Sequence, residues 1–453
     1  MPRQLAARTP VLGPLLALAI AAFAPPAAAD EPPPAAAPEL VIELAPEHKD
    51  PPPPAAEKKA GTIGLGAPIP TDSALVRGLT DQRFQSALES LTNTSIGGYG
   101  EIQVRGNAAG RDGDTRWTAD VARLVVFVAH TFTNDIRAYT ELEVEHSVSC
   151  PSCPGAVELE QAYLDWRLWG DYLGLRAGLV LVPMGIVNQW HEPPIFHGVT
   201  RPRVETVIIP STWREVSIGL FGRPVDGLRY EVYAMTALNP LGISAGGLGG
   251  ARQNGALASA KAWAATGRVE YEPILGAVLG AAFYAADAGK NADYYLRDQT
   301  KVDVSVPLLG WAIDARIRRS GVELKALFAE WRLPGSEALM RTFDAAGNAR
   351  FTDPLRPLAT VMRGGYVEAA YDVLRPLGFS HQLLPFARLE SYDTQAQVPT
   401  GYQKNPTLAI REYTFGASYR PIPQVVFKGD YQLRNRRLGL DERQINFGVG
   451  FMY

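Results

Sequence analysis

The chain has 453 residues, with 44 Lys and Arg against 47 Asp and Glu and a net charge of -3; its mean hydropathy is -0.06. This balance excludes the basic footprint of a nucleic-acid binder and offers no polybasic stretch for an anionic lipid surface. It also excludes a helical membrane protein, because beyond the N-terminal segment no run approaches the roughly 18 apolar residues that a spanning helix needs.

Residues 1–29 read as a secretory signal. Arg3 and Arg8 give the charged region, 11–23 the apolar core, and Ala27-Ala28-Ala29 the small-residue cleavage site. Residues 30–95 are expected to be a Pro/Ala-rich periplasmic tail, with Pro51 to Pro54 at its centre. Within it, Leu75, Leu79, Phe84, Leu88 and Leu91 predict a short helix over 73–91.

From Gly97 the hydrophobic period changes to two. Strands are predicted over 98–105, 119–130, 135–146, 157–169, 172–184, 216–223, 227–237, 263–272, 277–287, 311–318, 321–332, 361–373, 384–393, 408–419, 425–434 and 444–453. The third is the clearest. Ile136, Ala138, Thr140, Leu142 and Val144 take one face; Arg137, Tyr139, Glu141, Glu143 and Glu145 take the other. A strand with one apolar and one charged face needs lipid on one side and a wet lumen on the other. Short turns alternate with long loops, and the chain ends on an aromatic strand suited to closing against the first. The predicted fold is therefore all-β: a transmembrane antiparallel β-barrel over 96–453, about 16 strands, with long extracellular loops. Eighteen strands follow if 301–306, which also alternates, joins the wall. A secreted sandwich or propeller would need a dry inner face that these strands do not supply.

The two cysteines, Cys150 and Cys153, stand in Ser-Cys-Pro-Ser-Cys-Pro-Gly. In an exported chain this spacing predicts a local disulfide. A redox pair would need basic neighbours, and a metal site further ligands, of which His146 is the near candidate.

A barrel of this width leaves an aqueous channel, so something must set its size limit. The loop over 185–212 carries Ile195, Phe196, Ile208 and Ile209, which an outward-projecting loop would not need. It is expected to fold into the pore. Arg201, Arg203 and Arg214 are then candidates for an anion-facing constriction, with Glu192, Glu205 and Glu215 opposing or orienting them. Arginine stays charged and offers a planar fork of donors to phosphate or carboxylate. The alternative is that these arginines pair with the nearby glutamates and only hold the loop down. Inward Arg137, Arg167, Arg176, Arg268, Arg316, Arg318 and Lys428 could extend a basic track, against inward Glu141, Glu143, Glu145, Asp165 and Glu270.

No enzyme is expected. His191-Glu192 with His197 does not match H-E-x-x-H, and G-x-S-x-G, phosphate-loop and dinucleotide fingerprints are lacking. His191 and His197 are expected to pack or hydrogen-bond within the loop. No metal and no cofactor are expected.

The runs Glu158-Leu-Glu-Gln-Ala-Tyr-Leu164, Ala177-Gly-Leu, Val182-Pro-Met-Gly-Ile186, His191-Glu-Pro-Pro and Pro210-Ser-Thr-Trp-Arg-Glu215 resemble the phosphate-selective porin O/P family. The resemblance is strongest over 97–235. It implies a 16-stranded porin of the bacterial outer membrane, usually a homotrimer, passing small anions such as phosphate, with a loop in the pore and basic residues binding anions there. Arg201, Arg203 and Arg214 occupy that loop by position. The chain departs from the family in holding only nine lysines. A general non-selective porin of the same fold is the alternative, and a plugged or enzymatic outer-membrane barrel a further one.

Overall fold

Period-two alternation closes on itself in three dimensions. The computed structural model describes residues 93–109, 115–150, 152–351, 353, 356–439 and 441–453; the expected signal segment and the helix over 73–91 lie outside them. The strands are β1 (Thr94–Ala109), β2 (Thr115–Thr131), β3 (Ile136–Glu145), β4 (Val157–Trp169), β5 (Leu173–Leu181), β6 (Arg214–Val225), β7 (Leu228–Thr236), β8 (Trp263–Ile274), β9 (Ala277–Asp287), β10 (Tyr294–Tyr295), β11 (Lys301–Val302), β12 (Pro307–Arg319), β13 (Val322–Arg332), β14 (Val361–Tyr371), β15 (Gln382–Gln397), β16 (Ala409–Ile422), β17 (Val425–Arg436) and β18 (Glu442–Met452). All but β10 and β11 form one closed antiparallel barrel of sixteen strands. β1 pairs with β18 from Tyr99↔Met452 to Ala109↔Glu442, and Gly98 and Tyr453 exchange backbone hydrogen bonds at 3.0 and 2.9 Å. The wall therefore has no free edge, which is the condition for a strand structure in lipid.

The segment 301–306 is not in the wall. Its first two residues pair with Tyr294 and Tyr295 in a small separate hairpin. Six alternating residues are too few to cross an apolar band of about 25 Å. Several wall strands are longer than predicted, β1 and β15 most clearly. On β15, residues 394–397, three of them polar, extend the ladder past the last outward apolar side chain.

Faces divide as the alternation requires. Leu142 on β3 is 44% exposed, whereas Glu141 and Glu143 beside it are 3% and 1%. Leu124, Val126, Leu164, Trp166, Ile218, Val232, Phe283, Ile313, Leu389, Phe415, Phe427 and Phe447 likewise face outward. An apolar belt of this extent is solvated by lipid.

The lumen is not uniformly wet. Tyr233, Met235, Tyr284, Leu308, Leu327, Trp331, Met362, Tyr366 and Tyr392 from the wall join Ile186, Val204, Ile208, Ile209, Trp213, Ile243, Leu248 and Leu339 from connecting segments in one buried apolar cluster. On β12 the inward residues run from Leu308 and Ala312 in that cluster to Asp314 and Arg316 nearer the short turn. The sector from β15 round to β3 carries most of the buried charge, with Arg388, Glu390, Glu412, Lys428, Asp430, Glu101 and Glu143 on it, beside smaller apolar clusters around Phe386 and around Tyr99 and Phe127.

Candidate functional site

The connection between β5 and β6, residues 182–213, returns into the barrel. Its base is closed by Asn188, whose side-chain amide donates to the carbonyls of Val182 (2.8 Å) and Trp213 (3.0 Å) and accepts from the Trp213 amide (2.8 Å). Gly185 turns the chain with φ +78°. A Cβ there would lie 2.5 Å from the Glu205 carboxylate. That carboxylate accepts the Ile186 and Val187 amides, both at 2.6 Å, and the Tyr366 hydroxyl, also at 2.6 Å.

Beyond its base the loop crosses the lumen and lies along the far wall. A backbone taken inside a barrel must have its polar groups satisfied, and here wall side chains do it. Arg420 donates to the Pro194 carbonyl (2.9 Å), Lys325 to Ile195 (2.8 Å), Ser418 to His197 (2.7 Å) and Lys428 to Gly198 (2.9 Å). Asp430 accepts the Val199 amide (2.6 Å), Glu390 the Val204 amide (3.0 Å), and Gln103 donates to the Val199 carbonyl (3.2 Å). Phe196 lies under the Lys428 ammonium at 3.6 Å. Polar and charged residues on five strands therefore serve as donors and acceptors for one strap of chain.

The predicted arginines divide into two groups. Arg214 pairs with Glu158. Arg176 makes a two-pronged pair with Asp165 at 2.6 and 2.8 Å, its guanidinium 4.1 Å from the Tyr163 ring centroid. Arg167 meets Asp171 at 3.4 Å beside a short turn. Arg201 is different: it is buried and donates to the Ser211 and Thr212 hydroxyls at 2.6 and 2.9 Å and to the His191 carbonyl at 3.4 Å. Burial, with Arg123 adding repulsion, pushes its guanidinium below the ordinary arginine value. Arg203 is half-buried and meets the Tyr392 side chain. Among the described residues the ion pairs include neither Arg201 nor Arg203.

The predicted acids also divide. Glu205 and Glu215 are in no ion pair among the described residues. Glu205 folds the loop on itself, and Glu215 accepts from Trp213 Nε1 (3.3 Å), Thr236 Oγ1 (2.8 Å) and the Gln253 amide (2.9 Å). Burial raises the pKa of Glu205 and of Glu192 above the usual carboxylate range. Glu141, Glu143 and Glu192 gather at the root of the loop. Glu141 accepts from Gln161 Nε2 at 2.5 Å, and Glu143 lies 3.3 Å from Arg123. His191 enters this group. Burial alone would lower its pKa, but the Glu160 carboxylate at 3.2 Å outweighs that and holds it above the ordinary histidine value. His197 packs flat on Phe386, with ring centroids 5.6 Å apart, 3.1 Å from Glu323. Burial keeps it below the ordinary value.

The basic track is largely committed to partners. Arg268 pairs with Asp314 (2.7 Å) and Glu270 (2.9 Å), Arg316 with Glu270, and Arg318 with Glu323 (3.1 Å). Sequence reasoning missed Glu160, Glu101, Arg123 and the Arg388 pairs with Glu390 (2.7 Å) and Glu368 (3.2 Å). Inward alternation on their strands would have found them individually. Cys150 and Cys153 are disulfide-bonded, with Cα atoms 5.0 Å apart in the β3–β4 connection.

Over 346 residues the chain is 33% identical to an uncharacterized protein of Aquifex aeolicus (strain VF5), the match covering 74% of each chain. Among solved structures, Salmonella typhi OmpF in complex with daunomycin aligns over 80% of this chain and 98% of its own, with a TM-score of 0.52 at 14% identity. That likeness is one of fold. An anion-selective porin from Comamonas acidovorans aligns over 80% and 99%, with a TM-score of 0.49 at 12% identity. No family model matches the chain.

Proposed function

We propose that this chain, which belongs to the same family as the Aquifex aeolicus protein, is a porin of the bacterial outer membrane for passive diffusion of small solutes. The observation that carries this is the 182–213 segment. It is folded through the lumen of a sixteen-stranded barrel, with its backbone bonded to the far wall. A barrel of that size is wider than wall side chains can fill, and an inward loop is what narrows it. The lipid-suited belt supports membrane insertion, with the short turns in the periplasm and the long loops outside.

Within that reading the solutes are small anions, phosphate leading. Support comes from Arg201 and Arg203, the two loop arginines that are in no ion pair among the described residues, since fixed charge at a constriction decides ion preference. The sequence resemblance to phosphate-selective porins points the same way. A general porin of the same fold is the second reading, favoured by the pairing of Arg176, Arg214, Arg268 and Arg316 with acids. The assembly proposed is a homotrimer, on the resemblance alone, to be read by cross-linking in detergent. Residues 1–29 as a cleaved signal and 30–95 as a periplasmic tail are proposed from sequence, and N-terminal sequencing of the exported protein reads the first of these.

Single-channel recording of the refolded chain in a planar bilayer, under a KCl gradient and then with added phosphate, tests the proposal. A reversal potential favouring chloride, with current blocked by phosphate, is expected. Open current without phosphate block leaves the general porin. A chain that inserts but carries no current overturns the pore reading.

A further inference from the structure

We propose that Glu141, Glu160 and His191 bind a divalent transition-metal ion where the lumen loop meets the barrel wall. This goes beyond the porin reading and does not depend on it. Glu141 comes from β3, Glu160 from β4 and His191 from the loop, so only the closed barrel brings them together. His191 Nε2 lies 3.2 Å from a Glu160 oxygen and 3.8 Å from a Glu141 oxygen. All three ligand atoms lie within 4.8 Å of one another. Ligands held at about 2.0–2.2 Å around a tetrahedral ion sit roughly 3.3 Å apart, so small adjustments complete the geometry.

The hydrogen bonding around the ring points to a cation. His191 Nδ1 lies 3.1 Å from the Asn188 carbonyl. A carbonyl only accepts, so Nδ1 carries a proton, and Nε2 is the nitrogen directed at the two carboxylates. The place between them suits a positive centre: a proton in the metal-free chain, displaced by the metal ion when it binds. Orientation of a ligating histidine through its other nitrogen by a backbone carbonyl is the usual outer-sphere support of a metal site.

Glu160 is fully buried, with the Glu143 carboxyl in hydrogen-bond reach. The Tyr99 hydroxyl at the same place is fully buried and has no hydrogen-bond partner among the described residues. Its ring stands edge-on to His191 at 6.0 Å, within the field of Glu160 and Glu141. Charge gives the same answer. The buried carboxyl groups of Glu101, Glu141, Glu143, Glu160 and Glu192 outnumber the guanidiniums of Arg123 and Arg201 that face them. Buried charge in excess is costly unless paired or metal-bound. One imidazole and two carboxylates suit Zn²⁺, Co²⁺ or Mn²⁺ better than Mg²⁺ or Ca²⁺, which prefer all-oxygen ligation. Such an ion would tie the loop to β3 and β4.

The test uses the full chain, untagged and carrying His48→Ala to remove a histidine of the tail, folded in detergent and stripped with chelator. Dialysis against Zn²⁺, with metal counted per chain, is expected to retain one equivalent and to raise the melting temperature with Zn²⁺ concentration. Co²⁺ should give the intense visible absorption of a low-symmetry nitrogen–oxygen site. Glu160→Gln and His191→Ala should each weaken retention by roughly 100-fold or more, since even outer-sphere changes cost about 10–100-fold. His197→Gln, outside the cluster, should retain the ion. Failure of the folded protein to hold stoichiometric Zn²⁺ overturns the proposal, as does equal retention by folded Glu160→Gln. Should both ligand variants misfold, the stoichiometry and Co²⁺ spectrum of the unsubstituted site decide. Metal retention without current would sink the pore reading alone, and current without metal this one alone.

Discussion

The Tyr366 hydroxyl donates to Glu205 at 2.6 Å, joining β14 to a loop residue 161 positions earlier in the chain. The same carboxylate gathers two loop amides, so one side chain both folds the loop's entry and fastens it to the opposite wall.

Glu205→Ala therefore strands three donors inside the barrel and should cost about 3 kcal/mol. Under the porin reading, it should also raise single-channel conductance and current noise as the loop loosens. Glu205→Gln should stay within about 1 kcal/mol of the parent, because an amide oxygen still accepts and the raised pKa marks the buried charge as carried at a cost. Denaturation in detergent and bilayer recording check both. Equal loss in the two variants would contradict the assignment.

Arg203 and Arg214 should respond differently to removal. Arg203→Ala deletes a half-buried cation with no acidic partner and should move the reversal potential toward cations while leaving stability within about 0.5 kcal/mol. Arg214→Ala leaves Glu158 without its partner and should cost roughly 1–3 kcal/mol, with a smaller change in selectivity. Paired measurements of reversal potential and unfolding midpoint separate them.

His197 carries the pH dependence of the strap. Burial holds it below the ordinary histidine value; Glu323 opposes this and Lys325 adds to it, with Glu368 also in range. The folded ring therefore takes up its proton only at a lower pH than the unfolded chain, whose value is about 6.5. Its contribution to stability is complete above that pH and is lost as the pH falls toward the folded value. His197→Gln should flatten the unfolding midpoint between about pH 7.5 and 5.5 relative to the parent. An unchanged slope would remove His197 as the source.

Trp213, Tyr284 and Trp331 form a triad with centroids 5.1 to 5.8 Å apart in the apolar part of the lumen. Trp331→Ala should cost about 3–5 kcal/mol through the cavity it leaves. Ion preference should not change, because the cluster carries no charge. A Trp331→Ala protein as stable as the parent would show that the cluster yields freely, contrary to a packed interior.

Much of this architecture can be read in the chain alone. Strands β4 and β9 fall on the residues that alternation predicted, because side-chain period and burial on one face are local properties of a strand. The inward course of the 185–212 loop was also readable, since Ile195, Phe196, Ile208 and Ile209 would have no partners in water. The wetness of the lumen was misjudged, because inward Leu308, Leu327 and Trp331 look isolated until β12, β13 and the loop bring them into one cluster.

By itself, the sequence determined the all-β wall, its alternating strands, its lipid-suited belt and the identity of the inward charges, while leaving sixteen or eighteen strands open. Each depends on neighbours two residues away or on the alternation of one strand. Only the tertiary structure decided which charges neutralise one another. Arg214 meets Glu158, Glu205 meets Tyr366, and His191 meets Glu141 and Glu160 across separations of 56, 161, 50 and 31 residues. Partner choice inside a barrel is set by strand register and by the path of the loop through the lumen. Neither leaves a periodic trace along the chain.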